Sequence, residues 1–221
     1  MSTTVRLTHN KVALALHHLR PGHHGVDHRP LLVLHGLGER TPDAAPSWLD
    51  AWPGPLWGLD LTGHGESSSA PGGGYTAEVL MADAVTALDH LGPVTILGRG
   101  LGAYVALLTA GARPDAVRGA ILADGPGLAG GGPFPSSPMM VTGIALPAGP
   151  PDPFAIIELS RDIRPPDYAI RYVDHLAEDS DLDEPLTVTA RVRPPWLAAV
   201  VDAPGVVTGT LSDALTRYRS S

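Results

Sequence analysis

The sequence predicts an α/β fold built on a mostly parallel sheet. From residue 31 to residue 123, short apolar runs alternate with segments of helical periodicity. A continuous apolar run, such as the one at 31–34, is typical of a parallel strand buried on both faces, and strand-helix-strand crossovers place helices on both faces of the sheet. A chain of 221 residues, 43% hydrophobic and 17% charged, can bury one core. We therefore expect a single domain over 1–221.

The composition excludes several kinds of site and partner. The sequence has no Cys, so disulfides, thiolate nucleophiles and Cys-ligated metals are ruled out. The formal net charge of -8 argues against nucleic acid and anionic membranes, which bind clusters of Lys and Arg. The N-terminal residues form no apolar signal-like run, and no apolar segment is long enough to span a membrane. We expect a cytoplasmic protein with no membrane partner and no cofactor.

The chain opens with a predicted hairpin and a loop rich in histidine. Residues 5–8 and 12–17 have the character of two antiparallel strands joined at Asn10. The histidines of 21–28, together with His17 and His18, lack the i,i+4 spacing of helical metal ligands. We interpret the tract as a solvated loop and expect no metal site.

Two buried strands and an amphipathic helix follow. The strand at 31–34 ends in His35-Gly36-Leu37-Gly38, and a short helix starts at Pro46. The strand at 56–59 ends in Asp60-Leu61-Thr62-Gly63-His64-Gly65-Glu66-Ser67. Residues 76–91 then carry a stripe of apolar side chains at helical spacing, which comprises Leu80, Ala84, Leu88 and Leu91.

A turn with three glycines at alternate positions, Gly98-Arg99-Gly100-Leu101-Gly102, separates a predicted strand at 94–97 from an apolar helix at 103–110. Small residues permit a strained, crowded turn of this kind. The arrangement is that of a nucleophile elbow, whose G-x-S-x-G signature places the attacking hydroxyl on its central residue. Here the central residue is Gly100, which has no side chain.

The second half of the chain begins with a strand at 119–123 that ends at Asp124-Gly125-Pro126. A Gly/Pro/Ser-rich stretch at 127–153 and two helices, at 154–162 and 166–178, follow it. We expect these segments to form a small lid insertion over about 127–184. The chain then ends in strand, helix, strand and helix at 186–192, 195–202, 206–210 and 212–219, the last helix with Ser212 as its cap.

Three motifs together resemble those of the α/β-hydrolase fold family over nearly the whole chain. His35-Gly36-Leu37-Gly38 resembles the oxyanion loop, the segment from Asp60 to Ser67 resembles the family's D-x-x-G-H-G-x-S turn, and the three-glycine turn aligns with the elbow. The resemblance implies an eight-stranded, mostly parallel sheet flanked by helices, in which the first hairpin supplies an antiparallel strand.

The catalytic residues that the resemblance implies do not carry over. The nucleophile position is Gly100, and the acid would follow the strand at 186–192, where the sequence continues Arg193-Pro194-Pro195. The base, a histidine, would follow the last strand, but the last histidine of the chain is His175. Removing such a triad lowers turnover by about a million-fold and leaves about a thousand- to ten-thousand-fold over water. We interpret this chain as one that has lost hydrolytic chemistry.

A binding pocket is nonetheless implied at the elbow. The backbone N–H groups of Leu37 and Leu101 would converge where the family binds an oxyanion, and Gly100 would leave extra room there. The candidate ligand-binding residues are His35, Leu37, Arg99, Gly100, Leu101 and Asp124. Asp124 is also a candidate acid, with a turn cap as the alternative. A polar cluster on the lid helices faces either this pocket or water, and comprises Asp162, Arg164, Tyr168, Arg171, Tyr172 and His175.

Three functions are compatible with these patterns. The leading hypothesis is a non-catalytic pseudo-hydrolase that binds a protein partner or a small molecule, the latter anionic or carbonyl-containing. The alternative is an atypical hydrolase, lyase or isomerase that uses the oxyanion pocket with a non-standard acid/base such as Asp124. A third is a structural or oligomerising module, and a homodimer is compatible with the sequence in each case.

Overall fold

The protein is described by a computed structural model that covers residues 3–9, 11–23, 28–70, 72–131 and 149–219. The strands of these residues are β1 (Thr3–His9), β2 (Val12–Arg20), β3 (Leu31–Leu34), β4 (Leu56–Asp60), β5 (Val94–Arg99), β6 (Val117–Ala123), β7 (Leu186–Val188) and β8 (Val206–Thr208). They form one eight-stranded sheet in the order β1-β2-β4-β3-β5-β6-β7-β8. β2 runs antiparallel to β1 and β4, and the other neighbouring pairs are parallel. The predicted sheet is confirmed.

Helices cover both faces of the sheet. They are α1 (Ala77–Leu91), α2 (Leu101–Ala112), α3 (Pro153–Arg161), α4 (Pro166–Asp179), α5 (Pro195–Val201) and α6 (Leu211–Tyr218). The larger core lies between one face of the sheet and α1, α2, α4 and α5. The smaller core lies on the other face, under α6 and a single 3-10 turn at Ser47–Leu49.

The strands next to the elbow are buried on both faces, as their continuous apolar sequences predict. All four residues of β3 are buried between β4 and β5. Alternate residues of β3 point into the two cores, with Leu32 in the larger and Val33 in the smaller. The carboxyl ends of β3, β5 and β6 therefore meet at one edge of the sheet, where the predicted site lies.

The helix preceding the elbow has the predicted amphipathic stripe. Leu80, Ala84 and Leu88 are buried, and Leu91 packs at the edge of the same core. The helix begins at its cap Thr76, whose hydroxyl oxygen accepts a hydrogen bond from the backbone N–H of Val79 at 3.4 Å.

The four elements near the C-terminus have different bounds from those we expected, and two of the differences have an identified cause. β7 ends at Val188 rather than at residue 192, because the next two N–H groups turn back to the carbonyl of Leu122. α6 begins after Thr210 rather than after Ser212. Thr210 and Asp213 form a reciprocal capping box, which satisfies two N–H groups at once and so prevails over the Ser cap.

α4, which we expected to be part of the lid insertion, packs in the helical layer. Its residues Ala169, Val173 and Leu176 are buried in the larger core, beside α2 and α5. The contact with α2 is close, because a Cβ on Gly111 would lie 2.4 Å from the carbonyl oxygen of Tyr172. α4 is therefore a crossover helix between β6 and β7. Residues 132–148 of the expected lid lie outside the described residues, and the bounds of that insertion stay a prediction.

Candidate functional site

The turn between β5 and α2 has the backbone of an elbow. Gly100 adopts φ 57° and ψ -118°, and α2 begins at the next residue. On either side the chain is so tight that a Cβ on Gly98 would lie 2.1 Å from the carbonyl oxygen of Gly102. The sequence therefore specifies a strained strand-to-helix turn that presents residue 100 at the edge of the sheet.

The backbone N–H groups of Leu37 and Leu101, which we call the amide pair, donate to a single acceptor. That acceptor is the carbonyl oxygen of Pro126, at 2.9 Å from each nitrogen. The two N–H groups come from the ends of β3 and β5, and Pro126 follows the end of β6. A backbone oxygen of the chain itself thus occupies the point on which both N–H groups converge.

Gly100 has no room for a side chain, contrary to the extra space that we expected there. A Cβ on Gly100 would lie 2.0 Å from the carbonyl oxygen of Pro126 and 2.5 Å from the carbonyl carbon of Gly125. The space that a nucleophile would occupy is filled by the backbone that follows β6. Glycine at this position is therefore required by the neighbouring backbone.

The segment 126–128 is held by hydrogen bonds along its whole length. Nη1 of Arg164 donates to the carbonyls of Gly127 and Leu128, at 2.6 and 2.7 Å. The indole N–H of Trp196 donates to the carbonyl of Leu128 at 2.9 Å. Together with the amide pair, five hydrogen bonds hold three consecutive carbonyl groups. The position of the Pro126 oxygen is therefore fixed from both sides.

Arg99 is partly exposed and paired, rather than directed at the amide pair. Its Nη1 donates to Oε2 of Glu39 at 2.9 Å, and the same oxygen accepts the backbone N–H of Gly36 at 2.9 Å. The pair ties the end of β5 to the loop after β3. Because both side chains are about one-third exposed, the ion pair contributes on the order of 1 kcal/mol or less.

His35 and His64 are both buried, and their rings lie 5.0 Å apart. Burial lowers the pKa of His35, and burial together with the nearby His35 lowers the pKa of His64 to about 4. In the neutral His35 ring, Nδ1 donates to the carbonyl of Gly36 and Nε2 accepts the N–H of Leu61. Both histidines therefore act as neutral supports for the loops.

Asp60 is the centre of a buried network that sequence reasoning missed. Its carboxylate accepts the N–H groups of Thr41 and Glu66 and lies 3.0 Å from Nε2 of His17. Nδ1 of His17 lies 3.0 Å from the hydroxyl of Thr4. Burial opposes the charged form, but the surrounding donors outweigh it and hold the pKa of Asp60 below its usual range. The cross-strand pairing of β1 with β2 is the signal that could have placed Thr4 opposite His17.

Asp124 supports a loop. Its two carboxylate oxygens accept the N–H groups of Arg191 and Val192, at 2.9 and 3.0 Å. It connects the end of β6 to the segment after β7, in place of the turn cap within its own segment that we had considered.

A cavity of about 540 Å³ lies at the carboxyl ends of β6, β7 and β8. The polar groups at its wall include Asp124, Thr189, Arg193, Thr208 and Thr210. According to the family resemblance, the acid and the base would extend from the ends of β7 and β8, which border this cavity. The space is of the size that small-molecule sites have in other proteins.

The polar cluster predicted on α3 and α4 divides in the structure. The hydroxyl of Tyr168 lies 3.1 Å from a carboxylate oxygen of Glu78 and 3.1 Å from the hydroxyl of Tyr172, on the exposed side of α4. Arg164 instead points inward to the segment 126–128. The contact of Arg164 with the segment 126–128 could not be recognised from the sequence, because it joins residues from different loops.

The comparisons with known proteins agree with the fold. A model of the alpha/beta hydrolase family matches residues 31–221. The chain belongs to the alpha/beta hydrolase family. No curated protein has a matching sequence.

One solved structure shares the fold over nearly the full length of both chains, and others are less similar. Est1E from Butyrivibrio proteoclasticus, solved with ferulic acid bound, is 14% identical over 97% of each chain, with a TM-score of 0.62. A membrane phospholipase A described as a bacterial virulence factor is 16% identical over 95% of this chain and 78% of its own, with a TM-score of 0.49. Epoxide hydrolase A from Mycobacterium thermoresistibile is 22% identical over 62% of this chain, with a TM-score of 0.44. This chain spans 41% of that enzyme.

The described residues of this chain contain no cluster of potential metal ligands. Within those residues, no group of three His, Asp or Glu side chains could hold a metal ion. The same residues include no helix that is long and apolar enough to cross a membrane.

Proposed function

We propose that this member of the hydrolase family does not catalyse acyl transfer and instead binds a small molecule at the carboxyl edge of its sheet. One observation carries the first half of the proposal. The carbonyl oxygen of Pro126 occupies the point where the amide pair converges. By the family resemblance, a substrate's developing oxyanion would need that position.

Three further features support the loss of catalysis. Residue 100 carries no nucleophile, and a Cβ there would collide with the Pro126 oxygen. Asp124 accepts hydrogen bonds from two backbone N–H groups, which argues against a role for it as a catalytic acid. No histidine follows His175, so none follows the last strand. General-base activation of water or a hydroxyl would need such a group within hydrogen-bond reach.

The cavity beside Asp124 supports binding of a small molecule over binding of a protein. Its lining residues include the polar Thr208 and Arg193 and the apolar Val188 and Leu211. Ligands of open α/β sheets bind outside the carboxyl ends of the strands, which is where this cavity lies. Arg193 and Thr208 among its lining residues suit the anionic or carbonyl-containing ligand that the sequence predicted.

Hydrolysis of short p-nitrophenyl esters tests the first half. We expect turnover no greater than that of the heat-denatured protein. Saturable turnover that co-elutes with the folded chain through successive purification steps would contradict the proposal. Asp124→Asn serves as the matched variant, because only the atypical acid/base mechanism expects it to lower such turnover selectively.

Saturation-transfer NMR with a set of aromatic carboxylates and ketones tests the second half. Thr208 lies at the cavity wall, so Thr208→Trp fills the space, whereas Thr8→Trp changes an exposed strand position at the far edge of the sheet. We expect transfer to the wild type and to Thr8→Trp, and loss of transfer to Thr208→Trp. Equal transfer to all three proteins would refute this location.

A further inference from the structure

The sheet ends in two edge strands of different length. β8 has three residues, which is too short to pair extensively with another chain. β1 has seven residues and pairs with β2 in an uninterrupted register, without a bulge or a proline. Natural edge strands are normally short, bulged, covered or charged, because an open edge pairs readily with other strands. The outer side of β1 is therefore a candidate interaction surface.

The register of the hairpin shows which backbone groups of β1 face outward. His9 and Val12 close a two-residue loop, so this pair exchanges both of its hydrogen bonds, and every second pair along the hairpin does the same. Thr4, Arg6 and Thr8 lie between those pairs. Their N–H and C=O groups, which we call the outer groups of β1, therefore point away from β2.

The residues of β2 that lie opposite two of these three support the assignment. The N–H groups of Ala13 and Ala15 point away from β1, because they donate to the hydroxyl oxygens of Ser68 and Ser67 at 2.9 Å each. In an antiparallel pair of strands, residues opposite one another direct their backbone groups either toward each other or apart. No described residue provides a hydrogen bond to the outer groups of β1.

The outer groups of β1 are complementary to the same groups of a second copy. When two β1 strands run antiparallel about a two-fold axis at Arg6, Thr4 of each copy lies opposite Thr8 of the other. The three outer N–H groups of each copy then make six hydrogen bonds in all. A register shifted by two residues would leave one end of each strand unpaired, so the axis at Arg6 is favoured.

The side chains on both faces of the strand fit this register. On the side of the larger core, Val5 of each copy lies opposite Leu7 of the other, and both residues pack at the margin of that core. Apolar pairs of this kind stabilise neighbouring strands. On the other side the two Arg6 side chains meet. Each is already bound by Glu66, with Nη2 2.6 Å from Oε2, so the two cations are neutralised by two carboxylates.

We propose that two copies of this chain associate through β1, antiparallel about a two-fold axis at Arg6, so that their eight-stranded sheets join into one. Because the surface is limited to a single strand from each copy, the association is weak and depends on protein concentration. The proposal does not depend on the proposed function, since the cavity at β6–β8 lies toward the opposite edge of the sheet. Ligand binding and association can therefore fail independently.

Amide hydrogen exchange, measured by NMR at increasing protein concentration, tests the interface directly. We expect the N–H groups of Thr4, Arg6 and Thr8 to exchange rapidly in dilute solution and several-fold more slowly as the dimer forms. The N–H groups of Val5 and Leu7 are bonded to β2 and should stay protected throughout. Sedimentation velocity on the same samples should show the mass rise from 23.0 kDa toward twice that value.

Two results of these measurements would refute the proposal. One is a mass that stays at 23.0 kDa up to the solubility of the protein, which would leave the edge to a strand from another protein. The other is a dimer that forms without slowing exchange at the three outer N–H groups, because its interface would then lie elsewhere.

Reversing the charge of Arg6 provides the variant test. Arg6→Glu places four carboxylates beside the axis and should abolish the dimer. Arg171→Glu makes the same change of charge at an exposed arginine of α4 and should leave the dimer intact. The double variant Arg6→Glu/Glu66→Arg restores the ion pair and should restore the dimer.

Thr8→Pro tests the backbone hydrogen bonds by themselves. It removes one outer N–H group from each copy without removing a bond to β2, and should weaken association several-fold. Dimerisation of Arg6→Glu equal to that of the wild type would contradict the proposal. Circular dichroism shows whether each variant is folded, and the exchange measurement on the wild type decides the question if one is not.

Discussion

Gly100→Ala is the substitution for which the structure makes the sharpest prediction. A Cβ at this position would lie 2.0 Å from the Pro126 oxygen, so that carbonyl must leave the amide pair. Two backbone hydrogen bonds are then lost, at about 1 kcal/mol each. A side chain at the positive φ of residue 100 adds about 1–3 kcal/mol of strain.

The combined loss of about 3–5 kcal/mol is a large part of the 5–15 kcal/mol that stabilises a typical domain. For a chain of this length, each kcal/mol lowers Tm by about 2–4 °C, so we expect a decrease of the order of 10 °C. Gly100→Ser adds the same Cβ and should lose a similar amount of stability, without gaining turnover of p-nitrophenyl acetate.

Gly92→Ala is the matched control. Gly92 also has a positive φ, of 75°, but no atom lies within 4 Å of the Cβ that it would gain. This control measures strain without collision. Thermal unfolding gives the difference in Tm, and hydrogen exchange at the N–H groups of Leu37 and Leu101 reports whether the Pro126 oxygen has left them.

Two results would refute the reasoning about Gly100. The first is a Gly100→Ala protein whose Tm matches that of Gly92→Ala and whose amide pair stays protected from exchange. The second is esterase activity in Gly100→Ser that is absent from Gly100→Ala, because it would mean that the serine hydroxyl finds a working site.

Three further predictions concern other parts of the fold. The folded pKa of His64, about 4, lies below the unfolded value, so the unfolded chain binds the proton first as pH falls and the wild type loses stability. We expect this loss to be roughly 2–3 kcal/mol between pH 7 and 4.5, and we expect His64→Asn to abolish it. Urea unfolding at both pH values checks this, and an unchanged pH dependence would contradict it. Gly111→Ala should lower Tm by several degrees, because its Cβ would lie 2.4 Å from the Tyr172 carbonyl and force α2 and α4 apart. Calorimetry measures the change, and a Tm equal to that of the wild type would show that the helices separate freely. Asp124→Asn should cost about 1 kcal/mol in urea unfolding, because one of two N–H acceptors is replaced by an amide group; a neutral result would mean that the loop after β7 does not depend on it.

The sheet could be predicted from the sequence because its strands are buried on both faces. The run at 31–34 consists only of Leu and Val, so its burial and strand type followed directly. The end of β7 could not be placed, because it depends on whether N–H groups after Val188 continue the ladder or turn back to Leu122. That choice depends on tertiary contacts.

The site was less accessible to sequence reasoning. The missing side chain of Gly100 suggested an open space, since a sequence reports side chains and not the path of distant backbone. Pro126 fills that space with a carbonyl group, which every residue possesses and no motif can mark. The role of Arg164 was hidden for a related reason. Its partners are carbonyls of a loop, and an arginine beside a helix is more often solvated.

The occupied amide pair also determines how this protein responds to chemical probes. Fluorophosphonate reagents label serine hydrolases by bonding phosphorus to the hydroxyl of the elbow, while the phosphoryl oxygen enters the oxyanion hole. This chain offers them neither a hydroxyl at residue 100 nor an unoccupied pair of N–H donors. We therefore expect a proteome profiled with such reagents to give no signal for it even when the folded protein is abundant.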